Sequence, residues 1–591
     1  MEIYFQVITE SDALQAACEK FANEKVLGFD TETTELDPFD GSLRLVQFSN
    51  GSETIVIDLL PFAQRGDLRT LEELAPLREL IESTTPLKVA HNAKFDAKWV
   101  YHHLGAKLGG VFDTYLASQL IAAGETDRRH GLADVANFFL GTELDKSEQV
   151  SDWSAEELSH SQIEYAAKDA ATMVPLFEKI NESLFENELV AVAKIENECV
   201  TPIAVMEQNG FYLDADLWRA QIAKTEDART QIGFQLQEML SAGVAQASLF
   251  GVAEINLNSQ IQVRDALQNL GVPIVDSTNS WKLQPLAKEY PVIEKLIEYR
   301  HIAKAVSGFG ENYLEFIRPE TGRIHADFRQ IGAPSGRLSC SKPNIQQIPH
   351  DSVYRSCFRA ETGKKLIVAD YSQIELRILA EFSGDESFIK AFESGEDFHA
   401  ATAAQVFGID AKDVTADQRT FAKRLNFGVV YGIGAQRFAT MTGVTEREAE
   451  DILRRYFATY SGLDEWLRNA GNNAVNRRQT RTASGRLVKF RFDETDRAAV
   501  AATKRYGKNV PIQGTSADIL KRALFLIDKL ISGSSAKLVN NIHDEVVVEV
   551  EATEAERTAQ GIETAMKNSA EEFVKKVPIR VDVKISDSWE K

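Results

Sequence analysis

Short apolar runs alternate with helical segments through the first 190 residues, and this alternation constrains the fold more than any other feature. The runs VLGFD, RLVQFS, TIVIDLL and LKVAHN have the length and apolar content of strands, and the region ends in the helical run SAEELSHSQIEYAAKDAATMVPLFEKI. Strands that alternate with helices are typical of an α/β sheet domain. We therefore predict an α/β domain over residues 1–190.

The remaining residues are predicted to form a larger α+β region. Residues 191–320 are largely helical and polar, which indicates an elongated helical element. Beyond residue 320, two strand-rich stretches, LIVAD and LVNNIHDEVVVEV, are separated by a long helical block. Because both stretches carry acidic residues at strand ends, we predict one sheet interrupted by an inserted helical subdomain. The fold class is multidomain, combining α/β and α+β units, and 591 residues suffice for roughly four of them.

Neither a disulfide scaffold nor a membrane protein is indicated by the sequence. The four cysteines are widely spaced, without a C-x-x-C pair, which disfavours disulfides and a cysteine zinc site. The N-terminus, MEIYFQVITESDAL, lacks the basic start and apolar core of a signal peptide, and no segment offers 18 apolar residues in a row. We expect a soluble, cytoplasmic protein with no membrane partner; an organelle would require that a targeting segment had been removed.

Charge is unevenly distributed along the chain. The formal net charge of −22 argues against a nucleic-acid partner, because phosphate binding requires Lys and Arg. Residues 471–530, however, hold thirteen Lys or Arg against five Asp or Glu, a local excess of eight. Such a run is compatible with a solvated face as well as with a phosphate-binding surface. Motifs must decide between these interpretations.

A pair of acidic residues predicts a first metal-dependent site. Asp30 and Glu32 lie two apart at the end of the apolar strand VLGFD, so both side chains point to one face. Adjacent carboxylates repel each other unless a cation neutralises them. Ligands that are all oxygen suit a hard ion such as Mg²⁺ or Mn²⁺.

Three further residues complete this set. Asp96 follows the strand LKVAHN on a helix that Asn92 is expected to cap, and Tyr165 and Asp169 lie at i and i+4 on one helix face. Together the five resemble the DEDD superfamily of 3′-to-5′ exonucleases, in the variety with a tyrosine in the third motif; LDKSEQVSDW resembles its ribonuclease D branch. The resemblance implies a ribonuclease H-like domain whose four carboxylates hold two metals about 3.5 to 4 Å apart, with Tyr165 orienting the attacking water. An inactive domain of the same fold is the alternative.

Two aspartates in the strand-rich stretches predict a second site. Asp370 ends the buried strand LIVAD, and Asp544 lies at a hairpin turn between LVNNI and VVVEV. The apolar runs beside them bring both carboxylates to the rim of a sheet. Two hydrated cations could bridge them there to a nucleoside triphosphate.

The helical segment TADQRTFAKRLNFGVVYGIG lies between these aspartates. Thr415 and Gln418 form a capping-box pattern that predicts where its helix begins. Four residues recur at intervals of four and line one helix face: Arg419, Lys423, Phe427 and Tyr431. Two cations followed by two rings suit a nucleoside triphosphate, because the cations can meet phosphates and the rings can meet sugar and base.

Longer motifs now show a family resemblance. DYSQIELR, the R-x-x-x-K-x-x-x-F-x-x-x-Y-G helix and HDE resemble motifs A, B and C of family A DNA polymerases, SGRLSCSKPNIQQIP resembles the template-primer motif, and INLNSQIQVRDAL resembles a thumb segment. The whole is similar to the Klenow-type large fragment of bacterial DNA polymerase I, so no 5′-nuclease domain is expected. The resemblance implies an exonuclease domain followed by a right-hand polymerase, with these segments: exonuclease 1–190, thumb 191–320, palm 321–385, fingers 386–490 and palm 491–591.

Roles follow from this resemblance position by position. Asp370 and Asp544 would bind two metals that align the primer 3′-hydroxyl with the α-phosphate, and Glu545 would assist. Lys423 would also protonate or stabilise pyrophosphate, and Glu375 would exclude a ribose 2′-hydroxyl. The dNTP-binding set is Arg419, Lys423, Phe427, Tyr431, Glu375, His399 and Gln373. The residues expected to bind DNA are Arg337, Asn344, Gln346, Arg505, Asn509, Gln513 and His543.

The sequence thus predicts a DNA-directed DNA polymerase with an editing exonuclease. Its partners would be primer-template DNA and dNTPs, with two Mg²⁺ per active site, for which Mn²⁺ can substitute; we expect a monomer, and no processivity factor is identified. One alternative, a nucleic-acid-binding protein whose sites have lapsed, is disfavoured because all six metal-binding carboxylates are present. A ribonuclease D-like RNA exonuclease would not explain motifs A, B and C. A single-subunit RNA polymerase would not explain Glu375 or the exonuclease.

Some assignments have simpler alternatives. His399 could be an ordinary surface histidine of a helix, and Asn509 or Gln513 could bond only to backbone. The sequence also departs from the family pattern: Arg424 stands where a small or apolar residue is common, and GRLVKF replaces the usual G-R-R-R-x-L-P. Cys340-Ser341-Lys342 replaces the usual Ser-Ser-x-Asp. None of these departures touches a predicted metal ligand.

Overall fold

The computed structural model describes residues 3–125, 127–144, 148, 150–242, 255–274, 277–349, 353–395 and 397–590. Its N-terminal region is built on a six-stranded mixed sheet, here called the N-terminal sheet. The strands are β1 (Tyr4–Ile8), β2 (Val26–Thr33), β3 (Leu43–Ser49), β4 (Glu53–Asp58), β5 (Leu87–Ala90) and β6 (Val111–Asp113). Their spatial order is β1-β4-β3-β2-β5-β6. The pairs β2–β3 and β3–β4 are antiparallel, whereas β1–β4, β2–β5 and β5–β6 are parallel.

Seven helices accompany this sheet in the described part of the chain. They are α1 (Ser11–Phe21), α2 (Leu60–Ala63), α3 (Ala75–Glu82), α4 (Ala93–Leu104), α5 (Thr114–Ala122), α6 (Leu132–Leu140) and α7 (His160–Glu186). The α7 helix begins at a capping box in which the Ser159 hydroxyl accepts from the Gln162 amide and the Gln162 side chain accepts from the Ser159 amide. The predicted α/β character of this region is confirmed.

Helices also dominate the next segment. They are α8 (Val190–Asn209), α9 (Ala215–Ser241), α10 (Gln260–Asn269), α11 (Ser280–Leu283) and α12 (Pro291–Gly308). Short strands β7 (Phe211–Tyr212), β8 (Ile317–Arg318) and β9 (Arg323–Ile324) form a small sheet in the order β7-β9-β8. The helices α9 to α12 share a hydrophobic cluster that includes Leu236, Leu267 and Leu296. This cluster gives the helical element its own core.

The C-terminal region contains a four-stranded antiparallel sheet, here called the C-terminal sheet. The strands of this region are β10 (Asp327–Arg329), β11 (Ser339–Ser341), β12 (Lys364–Tyr371), β13 (Gln479–Arg481), β14 (Leu487–Lys489), β15 (Lys537–Ile542), β16 (Glu545–Glu551) and β17 (Val581–Ser586). The sheet has the order β15-β16-β12-β17, so strands far apart in sequence are neighbours. The prediction of one sheet interrupted by a helical insertion is confirmed. The pairs β10–β11 and β13–β14 form separate two-stranded ribbons.

Nine helices belong to this region in the described residues. They are α13 (Ile374–Ser383), α14 (Glu386–Glu393), α15 (Phe398–Phe407), α16 (Ala416–Val430), α17 (Ala435–Thr442), α18 (Glu446–Thr459), α19 (Ser461–Arg477), α20 (Arg497–Ile531) and α21 (Ala555–Glu571). Short 3₁₀ turns occur at Glu72–Leu74, Gln284–Leu286, Glu311–Phe316, Ile345–Gln347, Arg355–Cys357, Ala411–Asp413 and Ala552–Glu554. Within the described ranges, no helix has both the length and the apolar run needed to cross a bilayer.

Helix α8 joins the two sheets. Its residues Val200 and Ala204 belong to the core of the N-terminal region, and Cys199 belongs to the core that includes the C-terminal sheet. Near its C-terminal end, Glu207 pairs with Lys94 of α4 at 2.6 Å and with Lys98 at 3.1 Å. The predicted thumb segment opens with this helix, yet α8 packs mainly against α4, α20 and β15. The predicted segment boundaries remain predictions.

Candidate functional site

The first carboxylate site is formed where α7 packs on β2. Asp30 and Glu32 lie two apart on β2 and leave the strand on one face. A Cβ atom built on Gly28 would lie 1.9 Å from the backbone oxygen of Ala170, so only glycine allows α7 this close to the strand. The approach brings Asp169 of α7 close enough to affect the charge state of both β2 carboxylates.

Asp96 joins this site from the first turn of α4. The Thr31 hydroxyl of β2 donates to Asp96 Oδ1 at 2.6 Å. The predicted capping of α4 by Asn92 is wrong: Asn92 has a left-handed backbone with φ 62° and makes no side-chain capping bond. The carboxylate of Asp113 instead accepts from the Asn92 amide at 3.1 Å and from the Ala93 amide at 2.9 Å. A residue remote in sequence therefore fixes the start of the helix that carries Asp96.

Burial and mutual repulsion make this site electrostatically unfavourable without a counter-ion. Burial, together with Asp96, Glu32 and Asp169, raises the pKa of Asp30 well above its usual value. Burial also raises the pKa of Glu32 well above its usual value, that of Asp96 to about 7 and that of Asp169 to about 6. The ligands here are all carboxylate oxygens that repel one another. Such a set fits a hard divalent cation, because the cation would neutralise their charge. Among the described residues, no three His, Cys, Asp or Glu side chains are positioned to hold one metal ion together.

A cavity of about 400 Å³ opens beside these carboxylates. Asp30, Asp169 and Tyr165 line it. The Tyr165 hydroxyl bonds to Asp169, and burial and that carboxylate raise the pKa of the phenol. The Tyr165 ring also lies 6.5 Å from the Trp153 ring, at the end of the predicted ribonuclease D-like stretch. Residues 145–147 and 149 of that stretch lie outside the described residues.

The cavity has further lining residues that the sequence did not single out, among them His91 and Tyr115. His91 Nδ1 lies 2.9 Å from the Thr114 hydroxyl, and burial lowers the pKa of His91 to about 4, so the ring is neutral near pH 7. His91 directly follows strand β5 and precedes the helix of Asp96. The position of His91 at the end of this strand was the sequence signal that could have identified it as a site residue.

The second site lies at one end of the C-terminal sheet. Asp370 on β12 is in register with Glu545 on β16, and the Tyr371 amide donates to the Asp544 carbonyl at 3.3 Å. Asp544 lies in the two-residue turn between β15 and β16, where His543 has a left-handed φ of 55°. The predicted pair of distant aspartates therefore meets at one end of the sheet, with Asp370 near the end of β12 and Asp544 in the turn that leads into the adjacent strand β16.

Two other acidic residues flank Asp370 in register. Glu545 is buried, and its carboxylate accepts from the Trp589 indole at 2.7 Å and lies 3.6 Å from an Arg355 nitrogen. Trp589 belongs to the C-terminal segment and Arg355 lies before β12, so two remote segments hold Glu545, a placement that favours a structural rather than a catalytic role. On the other side, Asp582 of β17 pairs with Asp370. Asp582 was not predicted as a site residue, although the alternating pattern VDVKIS marks a strand.

Helix α16 carries the predicted triphosphate-binding residues. The capping box of Thr415 and Gln418 is confirmed. Arg419 donates to the Asp397 carboxylate at 2.6 Å. Lys423 lies one helical turn after Arg419 and is exposed. Phe427 lies one turn further on.

His399 lies beside this helix, buried rather than on the surface. Its Nδ1 lies 3.0 Å from the Asn426 side-chain nitrogen, which donates, so the neutral ring carries its proton on Nε2. Burial lowers the pKa of His399 to about 4, and Arg419 and Lys423 contribute in the same direction. His399 can therefore offer a phosphate a neutral N–H donor but no charge near pH 7.

Glu375 lies at the start of α13 and connects two predicted sites. One carboxylate oxygen pairs with Arg337, a predicted DNA contact, and the other accepts from the Tyr431 hydroxyl at 3.0 Å. The side chain is largely buried. Two partners on opposite oxygens hold the carboxylate in one orientation beside the end of α16.

Several predicted contact residues have buried acceptors that are unsatisfied within the described part of the chain. Asn344 Oδ1, Gln373 Oε1 and Asn509 Oδ1 have no hydrogen-bond partner there. Such groups are costly unless a ligand or water meets them. Gln346 donates to the Asn541 carbonyl at 3.3 Å, Gln513 is half-buried on α20, and His543 is exposed in the turn beside Asp544.

A cavity of about 960 Å³ lies between α16, α17 and α20. Phe427 and Tyr431 line it together with six cations, and none of the described residues around it is acidic. The cations are Lys423, Arg424, Arg437, Lys504, Arg505 and Lys508. The sequence analysis did not assign Lys504 and Lys508 to a site, although their i, i+4 spacing in the basic segment was a signal.

Only part of the basic segment 471–530 faces this cavity, so the interpretation of the whole segment as a phosphate-binding surface needs correction. At least six of its thirteen cations pair with carboxylates of the chain itself: Arg478, Arg481, Arg486, Arg491, Lys521 and Arg522. These pairs neutralise charge that composition alone assigned to a surface. A count of charged residues in the sequence does not show which Lys and Arg side chains form ion pairs within the folded chain.

Comparison with known proteins identifies a family for each of the two regions. Residues 225–591 match the family described as DNA polymerase family A, and residues 5–184 match the 3′-5′ exonuclease family. DNA polymerase I of Aquifex aeolicus is 31% identical over 99% of this chain and 100% of its own length. DNA polymerase I of Pseudomonas aeruginosa is 32% identical over 100% of this chain, which spans 66% of that protein.

A solved structure has a similar fold. The POL domain of Pol1 from M. smegmatis, in complex with DNA primer-template and dNTP, matches with a TM-score of 0.81 and 26% identity over 99% of each chain. The family match covers more than half of the present chain. The chain therefore belongs to DNA polymerase family A, with a 3′-5′ exonuclease domain preceding the polymerase domain.

Proposed function

We propose that this chain extends a DNA primer with dNTPs at the Asp370–Asp544 site and removes mispaired 3′-terminal nucleotides at the Asp30–Asp169 site. The observation that carries the proposal is the meeting of Asp370 and Asp544 at the end of the C-terminal sheet. Primer-template DNA and dNTP in the related Pol1 structure support the choice of substrates. A monomeric state and a cytoplasmic location remain predictions from the sequence.

Divalent cations, with Mg²⁺ as the first candidate, fit both sets of oxygen ligands. Asp370 and Asp544 would hold them in the polymerase domain. In the exonuclease domain the ligands would be Asp30, Glu32, Asp96 and Asp169. When bound, such ions activate the attacking oxygen and stabilise charge on the phosphorus-bound oxygens.

The side chains of α16 and its neighbours would bind the incoming nucleotide. Lys423 and Arg419 offer positive charge to the triphosphate, and the His399 Nε2–H group offers a neutral donor. The largely buried Glu375 carboxylate, held by Arg337 and Tyr431, would lie where a ribose 2′-hydroxyl would otherwise fit. The polymerase site would thereby select deoxynucleotides.

In the exonuclease site, Tyr165 would orient the attacking water. A phenol of ordinary pKa, about 10, is already protonated near pH 7, and burial and Asp169 raise the pKa of Tyr165 further, so this side chain would act through hydrogen bonds rather than as a base. Its bond to Asp169 holds the hydroxyl beside the cavity that both residues line.

Separate inactivation of the two sites tests the proposal. Asp370→Ala should lower primer extension by about a thousandfold or more, while digestion of single-stranded 3′ ends continues. The double change Asp30→Ala with Glu32→Ala should do the reverse. Asp587→Asn, an exposed acid paired with Lys365, is a matched control that should change neither activity. Extension that survives the loss of Asp370 would show that the polymerase site is wrongly assigned.

A further inference from the structure

A fully buried ionic network lies between helices α8 and α20. Glu196 of α8 and Asp518 of α20 are 0% exposed, and Arg486, which follows the β13–β14 turn, is 2% exposed. Arg486 donates to both carboxylates, and Lys521, also 0% exposed, donates to Glu196 at 2.6 Å. Burial alone would raise the pKa of Glu196, but Lys521 and Arg486 bring it below its usual value.

Stability alone does not explain such a network. Four buried charged groups carry a large desolvation cost, and apolar side chains of similar size would often be at least as stable. What ionic groups add is fixed direction: the planar guanidinium of Arg486 reaches Asp518 through both Nε and Nη2. Thr482 holds the other Asp518 oxygen with a 3.0 Å hydrogen bond. The orientation of the Arg486 fork is therefore fully determined.

The guanidinium lies directly against Gly336. A Cβ atom on Gly336 would lie 2.4 Å from Arg486 Cζ and 2.5 Å from Nε, and the glycine has a left-handed φ of 86°. Gly336 closes a turn in which its amide donates to the Ala333 carbonyl at 2.8 Å. The Gly332 amide donates to the Arg337 carbonyl at 3.0 Å. The network thus forms one wall of the turn that presents Arg337.

We propose that Arg486 is a positioning residue for sugar selection: it seats the Gly336 turn so that Arg337 holds the Glu375 carboxylate where it excludes a ribose 2′-hydroxyl. The inference rests on the proposed role of Glu375 and deepens it. Arg486 acts without touching the nucleotide, through three successive contacts: Arg486 with Gly336, the turn with Arg337, and Arg337 with Glu375.

The decisive measurement is the ratio of kcat/KM for a dNTP to that for the matching rNTP. Arg486→Lys keeps the charge but loses the planar fork. Since misplacement by about 1 Å can cost a hundredfold, we expect the ratio to fall about tenfold. Digestion of single-stranded 3′ ends should be unchanged and reports that the protein is folded. Thr482→Val removes one hydrogen bond to Asp518 and leaves Arg486 in place, so it should lower the ratio by a smaller factor. If Arg486→Lys does not fold, the ratio measured for Thr482→Val tests the proposal instead.

A matched control separates positioning from general destabilisation. Arg323 of β9 is another buried arginine, 4% exposed, and pairs with Glu549 of β16 and with Glu361. Arg323→Lys should destabilise the fold to a similar extent and leave the dNTP to rNTP ratio unchanged. An equal loss of selectivity in this control would overturn the inference.

Combination with Glu375→Ala distinguishes the inference from the function on which it rests. If Arg486 acts through Glu375, Arg486→Lys should cause no further loss of selectivity in the Glu375→Ala background. Unchanged selectivity in Glu375→Ala alone would refute the role of Glu375. Lost selectivity in Glu375→Ala with full selectivity in folded Arg486→Lys would leave that role intact and refute the positioning role of Arg486.

Discussion

Replacement of Gly28 by alanine should inactivate the exonuclease site without removing any of its chemical groups. The added Cβ would lie 1.9 Å from the Ala170 carbonyl oxygen and 3.0 Å from Met173 Cβ. Real Cβ atoms essentially never approach within 3.0 Å of another group, so α7 must move away from β2 by about 1 Å. Tyr165 and Asp169 would move with the helix, whereas Asp30 and Glu32 would stay on the strand.

The size of the effect follows from this displacement. A misplacement of about 1 Å costs about a hundredfold in rate when catalytic groups must converge, so we expect a loss of that order in 3′-end digestion. Overpacking should also lower the free energy of unfolding by about 1–3 kcal/mol. Primer extension should be retained, because the contact lies within the N-terminal region.

The assay compares both activities in one preparation. Digestion of a labelled single strand is followed beside extension of a matched primer, with unfolding measured in urea. Gly66→Ala is the matched control, because its Cβ would meet only Leu71 Cδ1 at 3.6 Å. A folded Gly28→Ala protein that digests ends within about threefold of the original rate would refute the argument that this contact sets the site geometry.

Three other predictions concern charge. Burial lowers the pKa of His399 to about 4, so the ring is neutral at both about pH 6 and about pH 8. The substitution His399→Ala should therefore raise the KM for dNTP by the same factor at both pH values. A larger rise in KM at the lower pH would indicate a charged ring. Burial alone would raise the pKa of Glu361, but Lys364 and other neighbours lower it to about 2, so its stabilisation is present above the unfolded value of 4.5 and lost as pH falls toward 2. Glu361→Gln should lower the free energy of unfolding by about 1 kcal/mol near pH 7 after allowance for solvent screening, and by less near pH 3; a pH-independent difference in urea unfolding would contradict this. Lys508→Ala should reduce the slope of log affinity for primer-template DNA against log salt by about 0.9, as measured by anisotropy, whereas Lys529→Ala, whose ammonium lies over Phe525, should not.

Local patterns made much of the catalytic machinery predictable. The spacing of Asp30 and Glu32, the capping box at Thr415 and the hairpin at Asp544 each depend on neighbours a few residues away. Strand alternation and helix periodicity act over that range, so sequence reasoning could reach them. The resemblance then identified which of these local features belong together.

Contacts between remote segments were not predictable in this way. The Asp113 carboxylate replaced Asn92 as the cap of α4, and Trp589 and Arg355 bound Glu545. Two arginines of the basic segment, Arg486 and Arg522, pair with the carboxylates of Glu196 and Glu198 on helix α8. Each of these contacts depends on which side chains folding brings within hydrogen-bonding distance. Local sequence patterns do not predict contacts between segments that are remote in the chain.

The amino-acid sequence by itself determined the secondary elements, the order of the motifs and the residue types at both sites. Only the tertiary structure decided that Gly28 admits α7 to within contact of β2, and that Arg337 and Tyr431 hold opposite oxygens of Glu375. The physical reason is range: backbone propensity and side-chain periodicity act over one or two helical turns, whereas charge pairing and close packing act through space between segments that are remote in sequence.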